Sequence, residues 1–168
     1  GMPYKCPPAP FEASLLIESM LREEGVRDSV QIHFYSPAPI TLPAAGPEIS
    51  QQILNLINSE NIIFHDSCKI KSVEKNKLIF QNGEANFDLL LAIPPHVAPK
   101  VIYDSELAKE GGFIPINRDC KTQFENVYAV GDVTTLTVID TITVPKAGIF
   151  AEGEAITVTQ NIISKIQS

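Results

Sequence analysis

The N-terminal part of the chain shows a helical spacing of apolar residues and then an alternating one. Apolar residues from Phe11 to Glu24 recur at intervals of three and four, and Gly25 stands where helices commonly end. Residues 30–34 alternate between apolar and polar, which predicts a strand. After a proline-rich loop, a second helical pattern begins near Pro47 and runs to Ile57. The predicted order is helix, strand, helix.

Short apolar runs follow and predict strands. They are Ile62–Phe64, Ile70–Glu74, Leu78–Phe80 and Phe87–Ile93. The second and third are predicted to pair as a hairpin across Lys75-Asn76, and Asn82-Gly83 is a further turn signal. The fourth run is nearly continuous in apolar residues, which is typical of a strand buried in a parallel sheet. Helices that alternate with strands around an antiparallel insertion predict an α/β fold.

The C-terminal part predicts one more strand and one more helix. Residues 94–125 are rich in turn residues and are predicted to be irregular. Residues 126–130 predict a strand that leads directly into Gly131-Asp132, and Pro145 begins a helix that runs to about Lys165. The isoleucines of this helix are its expected buried positions: Ile149, Ile156, Ile162, Ile163 and Ile166.

The composition narrows the class of protein. The 168 residues are 44% apolar, enough to build a core, and the formal net charge of -7 leaves no basic surface for nucleic acid. The cysteines Cys6, Cys68 and Cys120 are far apart and form no CxxC pair, so neither a disulfide framework nor a metal site is expected. No apolar run approaches the roughly 18 residues that a membrane span needs. We therefore expect a cytoplasmic protein with free thiols.

The segment most specific for chemistry is the predicted strand that ends at Gly131-Asp132. A residue without Cβ and a carboxylate at the carboxyl edge of a sheet lie where α/β proteins bind ligands. The Asp132 carboxylate can accept hydrogen bonds there from hydroxyl groups like those of a sugar. On these residues alone, a strand that ends at a turn capped by Asp132 is an equal alternative.

Residues 126–134 and 144–152 together resemble the second flavin-binding motif of flavoproteins with two dinucleotide-binding domains. The resemblance implies a three-layer Rossmann-like fold of the FAD/NAD(P)-binding type, with FAD as the cofactor. In such proteins Asp132 would bind the ribityl chain, and Lys146 at a helix N-terminus would face the pyrimidine ring of the flavin. The residues expected to bind FAD are Gly131, Asp132, Lys146, Ala147 and Gly148.

Within that superfamily the chain resembles sulfide:quinone oxidoreductases and flavocytochrome-like sulfide dehydrogenases. Residues 5–12 and 92–96 carry this resemblance together with the flavin motif. Relatives that oxidise NADH have a G-x-G-x-x-G fingerprint at the first stretch, whereas this chain has Pro7, Pro8 and Pro10. Proline has no N–H and its ring prevents close approach, so a pyrophosphate is not expected to bind there.

Cys6 is the candidate entry point for electrons. A thiol just before a helix start is favoured as thiolate, the form that attacks sulfur or a flavin carbon. A small buried residue in a proline-rich turn is the alternative. In the resembled enzymes the matching cysteine is redox-active, and an aromatic such as Phe150 would stack on a quinone; a core aromatic is equally compatible with Phe150. The second redox cysteine of such enzymes has no counterpart here, since Val133 stands at one expected position.

The remaining cysteines and histidines are expected to be ordinary. We predict that Cys68 and Cys120 are surface or hairpin residues and that His33 and His65 belong to strands. His96 follows Pro94-Pro95 beside the expected flavin edge and is predicted to be a loop residue, with a proton-relay role as the alternative.

The resemblance also predicts the organisation of the chain. Residues 1–92 would be part of the second, NAD-like dinucleotide-binding-type domain, and residues 93–168 the C-terminal part of the FAD-binding domain. No G-x-G-x-x-G for the ADP half of FAD occurs in the chain, so we expect a portion of an FAD-dependent oxidoreductase that binds little FAD by itself.

The expected function is electron transfer from a sulfur donor, through Cys6 and flavin, to a quinone or another acceptor. The alternatives are an NAD(P)H-dependent flavin reductase and a non-catalytic fragment acting in assembly or dimerisation. Expected partners are a second copy of the chain, a missing N-terminal half, a small-molecule donor and a quinone-like acceptor. The complete enzyme is expected in the cytoplasm or peripheral to a membrane.

Overall fold

The computed structural model describes residues 5–139 and 142–167, which form two units that divide after Pro95. Each unit is described by itself. Within the described ranges, no helix is long and apolar enough to cross a membrane, and no group of three or more His, Cys, Asp or Glu side chains could hold a metal ion. The assignment of residues 1–92 and 93–168 to two domain types stays a prediction.

Two helices and a parallel strand pair form the first part of unit 1. Helix α1 is Ala9–Glu23 and helix α2 is Gly46–Ser59. Strands β1 (Ile32–Tyr35) and β2 (Ile62–His65) pair in parallel, with Ile32 opposite Ile62. These elements match the predicted helix, strand, helix, strand order. Gly25 follows α1 with a φ of +69°, the left-handed conformation that glycine adopts at helix ends without strain.

A three-stranded antiparallel sheet completes unit 1. Its strands are β3 (Ile70–Glu74), β4 (Lys77–Phe80) and β5 (Glu84–Asn86), in that order. The predicted hairpin between the first two is confirmed, while β5 after Asn82-Gly83 was not predicted. Both of its outward residues, Glu84 and Asn86, are exposed polar residues, which are poor strand signals.

The core of unit 1 lies between the helices and the parallel strands. Phe11, Ile57 and Ile62 are almost fully buried there. The ring of Phe11 stacks on that of Phe34 at 4.4 Å and contacts the ring of Phe64 at 6.3 Å. Such contacts fix α1 and α2 against β1 and β2.

Unit 2 contains short strands and one long helix. Its helices are α3 (Lys100–Asp104) and α4 (Gly148–Gln167), and its strands are β6 (Ile114–Ile116), β7 (Thr134–Ile139) and β8 (Ile142–Thr143). Strand β7 pairs in parallel with β6 and antiparallel with β8. The core is built on Ile114, Ile116 and Cys120, against which Val158 of α4 packs.

Several predicted elements differ from the structure. The predicted buried strand Phe87–Ile93 forms no strand, and Leu89 is 79% exposed. Within the described part of the chain no strand pairs with this segment, and Leu89 and Leu91 remain exposed. Residues 126–130 likewise make only an isolated bridge, between Lys121 and Tyr128, and residues 94–125 contain α3 and β6 rather than irregular structure alone.

The predicted buried positions of α4 are also wrong. Ile149, Ile156, Ile162, Ile163 and Ile166 are all exposed. The helix instead packs on unit 2 through Val158 and through contacts with residues 131–133. An apolar stripe on a helix predicts a face that can be buried, but a single chain need not contain the surface that buries it.

Candidate functional site

Residues 131–133 form a short 3₁₀ turn between extended Val130 and strand β7. Gly131 has a φ of +79°, a conformation that L side chains rarely adopt, so this position favours glycine. Both polar groups of its backbone are bonded. Its amide donates to Glu154 Oε2 at 2.5 Å, and its carbonyl accepts from the Thr134 hydroxyl at 2.8 Å. The turn that carries Asp132 is therefore held from two sides.

The start of α4 carries backbone donors whose acceptors cannot belong to the helix itself. The amides of Phe150 and Ala151 both donate to the Ala147 carbonyl, at 3.0 and 3.2 Å. Helix geometry leaves the amides of Gly148 and Ile149 to acceptors outside the helix. No heavy atom lies within 4 Å of where a Cβ on Gly148 would stand, so a ligand can approach this backbone. Amides at a helix N-terminus favour an acceptor that carries negative charge.

Lys146, just before α4, is anchored inside the unit. Its ammonium donates to the Thr134 carbonyl and lies 3.8 Å from the centroid of the Phe113 ring. The ring face attracts the cation, and the half-buried side chain is thereby placed at the N-terminal end of the helix. Lys146 directly precedes the first turn of α4 in the sequence, and a cation and helix N-terminal amides both favour an anionic group.

The turn and the helix start meet at one cavity of about 10 Å³. A space of this volume can hold a water molecule but no ring system, so a flavin ring would lie over these residues rather than among them. Gly148 is adjacent to the cavity but does not line it. The lining residues are Gly131, Asp132, Thr134, Leu136, Val144, Pro145, Lys146, Ala147, Phe150, Ala151 and Glu154.

Four of the five residues predicted to bind FAD thus line one cavity together with Phe150, and Gly148 is the one that does not. Sequence reasoning missed Glu154, Thr134 and Phe113, which hold the turn and the lysine. A signal existed for Glu154, because it follows Ala147 by seven residues and so shares its helix face. Phe113 lies 33 positions before Lys146, and no local pattern connects the two.

Cys6 belongs to unit 1 and lies at the start of α1. It is exposed and has a φ of +51°. Its carbonyl accepts from the Ala9 amide at 3.0 Å, and the Phe11 amide donates to the Pro8 carbonyl at 3.0 Å. Since Pro10 has no N–H, the first three amide positions of α1 offer no donor to a ligand. The thiol is accessible, and a pyrophosphate would find no amide cradle.

The other two cysteines are held as thiols. Burial and the neighbouring Asp66 raise the pKa of Cys68, whose Sγ donates to the Asp66 carbonyl at 3.1 Å. Burial and Glu154 raise the pKa of Cys120. The prediction that Cys120 is a surface residue is wrong, because its side chain is 2% exposed and packs with Ile114 and Ile116.

A histidine pair on the parallel strands was also missed. His33 Nδ1 and His65 Nε2 are 2.9 Å apart, and the His65 ring stacks on Tyr35 at 4.3 Å. Burial and the neighbouring His33 lower the pKa of His65, while Asp66 acts in the opposite direction. His33 and His65 both belong to strands, as predicted, but no local pattern in the sequence indicated that the two would meet.

Comparison with known proteins gives the family. The model of the family described as pyridine nucleotide-disulphide oxidoreductase matches residues 20–160. The mitochondrial sulfide:quinone oxidoreductase of Schizosaccharomyces pombe is 28% identical over 142 residues, 79% of this chain and 31% of the relative. Coenzyme A disulfide reductase of Staphylococcus epidermidis is 31% identical over 91 residues, 52% of this chain and 21% of the relative.

The solved structures agree with the expected fold class. The sulfide:quinone oxidoreductase of Aquifex aeolicus superposes with a TM-score of 0.82 and 24% identity, over 97% of this chain and 42% of the other. This similarity confirms an incomplete Rossmann-like α/β fold. The chain spans less than half the length of each of these relatives. Because the family model covers most of its residues, the chain belongs to the pyridine nucleotide-disulphide oxidoreductases, a family FAD-dependent in its complete members, and is similar to the sulfide:quinone oxidoreductases within it.

Proposed function

We propose that this chain forms the flavin-ring end of the FAD site in an oxidoreductase of the sulfide:quinone type. The observation that carries the proposal is the convergence of the Gly131-Asp132 turn and the N-terminus of α4 on one cavity. The two segments are separated in the sequence by β7 and β8, and they bring Asp132, Lys146 and the first turn of α4 to one cavity. That donor and acceptor set fits a ligand with hydroxyl groups at one end and a polar ring at the other.

Each residue has a role in holding FAD. Asp132 would accept hydrogen bonds from ribityl hydroxyl groups, and Gly131 gives the turn its shape. The amides of Gly148 and Ile149, with Lys146 beside them, would favour negative charge on the pyrimidine ring. FAD, when bound, accepts two electrons from a donor and passes them to an acceptor.

Cys6 would deliver those electrons from a sulfur donor. Oxidation of HS⁻ at its thiolate forms a persulfide and releases two electrons and one proton. Two electrons and two protons convert a quinone to a quinol, so the balance needs one further proton from solvent. The exposed Cys6 thiol and the engaged first-turn amides of α1 support a sulfur donor rather than NAD(P)H at this helix.

Phe150, 42% exposed beside Ala147, is the proposed contact for the quinone ring.

The proposal is tested in the complete protein that carries this sequence. Asp132→Ala should weaken FAD binding by roughly tenfold or more, since it removes a charged hydrogen-bond acceptor. The exposed Asp88→Ala is the matched control and should bind FAD like the wild type. FAD affinity is measured by titrating apoprotein and following the flavin absorbance. Equal FAD affinity of Asp132→Ala and the wild type would refute this site.

The role of Cys6 needs a separate variant. Cys6→Ser should keep FAD but lose sulfide-dependent quinone reduction by at least roughly a hundredfold, because a hydroxyl does not form a persulfide. Cys68→Ser is the control and should keep the activity. Undiminished turnover of Cys6→Ser would exclude the sulfur route, and NADH oxidation by the complete protein would favour a pyridine-nucleotide-dependent flavin reductase instead.

Assembly is a second candidate role, favoured by the exposed apolar side chains of both units. Leu89 and Leu91 in unit 1, and Ile149 and Ile166 in unit 2, are each more than half exposed. We propose that these residues contact a second copy of the chain or the remaining part of the enzyme.

A further inference from the structure

The Gly131 peptide is held by a carboxylate from the middle of α4. The Gly131 amide donates to Glu154 Oε2 at 2.5 Å. Removal of this acceptor would leave a costly orphan donor in the turn. Glu154 is only partly exposed and lines the same cavity as Asp132.

The backbone of Glu154 is itself fixed. The buried Cys120 thiol lies 3.8 Å from the Glu154 carbonyl, and one turn away Ala151 packs closely on Gly131. A Cβ added to Gly131 would stand 3.6 Å from the Ala151 Cβ. Because α4 is docked on the unit at this level, its carboxylate approaches the turn from a fixed direction.

The bond belongs to a chain of contacts that reaches Lys146. The Gly131 carbonyl accepts from the Thr134 hydroxyl at 2.8 Å, and the Thr134 carbonyl accepts from the Lys146 ammonium. The Glu154 bond holds the Val130–Gly131 peptide and the Thr134 bond holds the Gly131–Asp132 peptide, so a change of the backbone at Gly131 would disturb both the direction of Asp132 and the anchor of Lys146. Both of these residues belong to the proposed flavin site.

We propose that Glu154 is a positioning residue of the flavin site: its carboxylate fixes the Gly131 peptide and, through it, the placement of Asp132 and Lys146. This inference rests on the proposed function, since it assigns Glu154 a part in the same site. Glu154 does not contact the ligand in this proposal. The hydrogen-bond acceptor, rather than the negative charge, is the feature that matters.

Two variants separate the acceptor from the charge in the complete protein. Glu154→Leu removes the acceptor and should weaken FAD binding roughly tenfold. Glu154→Gln keeps an amide oxygen at the same reach and should restore affinity to within about threefold of the wild type. Glu110→Leu makes the same change at an exposed turn of unit 2 and is the matched control. Circular dichroism and thermal unfolding verify that each variant folds.

Amide hydrogen exchange at Gly131, measured by NMR without FAD, provides a second readout. We expect protection in the wild type and in Glu154→Gln, and fast exchange in Glu154→Leu. Wild-type FAD affinity in Glu154→Leu, or a loss in Glu154→Gln as large as in Glu154→Leu, would overturn the inference. If the wild type binds no FAD, the proposed function fails. In that case the amide exchange rates alone test the role of Glu154. Fast exchange of the Gly131 amide in the wild type would overturn that role, and protection that is lost only in Glu154→Leu would support it.

Discussion

Arg27 shows how one side chain can join several elements of unit 1. Its guanidinium donates to the carbonyls of Val30, Glu60 and Asn61 at 2.7 to 3.0 Å, the last two at the end of α2. Its Nε lies 3.5 Å from Glu18 Oε1, an ion pair without hydrogen-bond geometry. Glu18 is 4% exposed, so its carboxylate depends on such partners.

We expect Arg27→Ala to destabilise unit 1 by about 2–4 kcal/mol, because it leaves a buried carboxylate with one partner fewer and frees three carbonyls. Arg22→Ala is the control. Arg22 contacts the same Glu18 carboxylate at 2.6 Å, but its side chain is 59% exposed, and the expected loss is about 0–1 kcal/mol. Urea unfolding followed by circular dichroism measures both. Equal losses would show that the carbonyl contacts of Arg27 contribute nothing.

The His33–His65 pair predicts acid sensitivity. Because the folded pKa of His65 lies below 6.5, the unfolded chain binds the proton more readily. The contribution of His65 to stability is therefore complete above pH 6.5 and is lost as the pH falls through the folded pKa. NMR titration of the ring protons should show a His65 pKa below 6.5, and His33→Gln should raise it by removing a positive neighbour. A wild-type pKa at or above 6.5 would contradict this prediction.

At the level of elements, local signals predicted α1, α2, β1, β2 and the β3–β4 hairpin. The two strands of the hairpin lie close in sequence, so the turn between them is itself a local signal. They failed for residues 87–93 and 126–130, because a strand exists only where another strand pairs with it. They also failed for the exposed face of α4, since apolar spacing does not reveal which surface covers it. At the site, motif residues were predicted through the resemblance, whereas Glu154 and Phe113 depend on tertiary placement.

The two turns of the antiparallel sheet differ in what they require. Asn76 between β3 and β4 has a φ of +58°, whereas Gly83 between β4 and β5 has an ordinary φ with open space around it. Asn76→Val should therefore cost about 1–2 kcal/mol, and Asn76→Gly should be tolerated. Gly83→Ala should stay within about 0.5 kcal/mol of the wild type. The midpoints of urea unfolding measure these changes, and a larger loss for Gly83→Ala than for Asn76→Val would refute the assignment.

At the scale of the whole molecule, the notable feature is uncovered apolar surface. Leu89 and Leu91 are 79% and 67% exposed in unit 1, and Ile149 and Ile166 are 76% and 78% exposed in unit 2. We expect large apolar side chains that are this exposed to contact another surface, because their exposure to water is unfavourable.

We therefore expect the chain alone to self-associate and to bind little or no FAD. Leu89→Asp combined with Leu91→Asp should raise the concentration needed for association at least roughly tenfold, since like charges would meet at the contact. Val26→Asp is the control, because Val26 is exposed outside this segment. Multi-angle light scattering after gel filtration measures the mass, and absorbance near the flavin bands measures bound FAD. A monomer that keeps its yellow colour would contradict both parts of the prediction, since it would need neither a second copy nor the rest of an enzyme to complete the site.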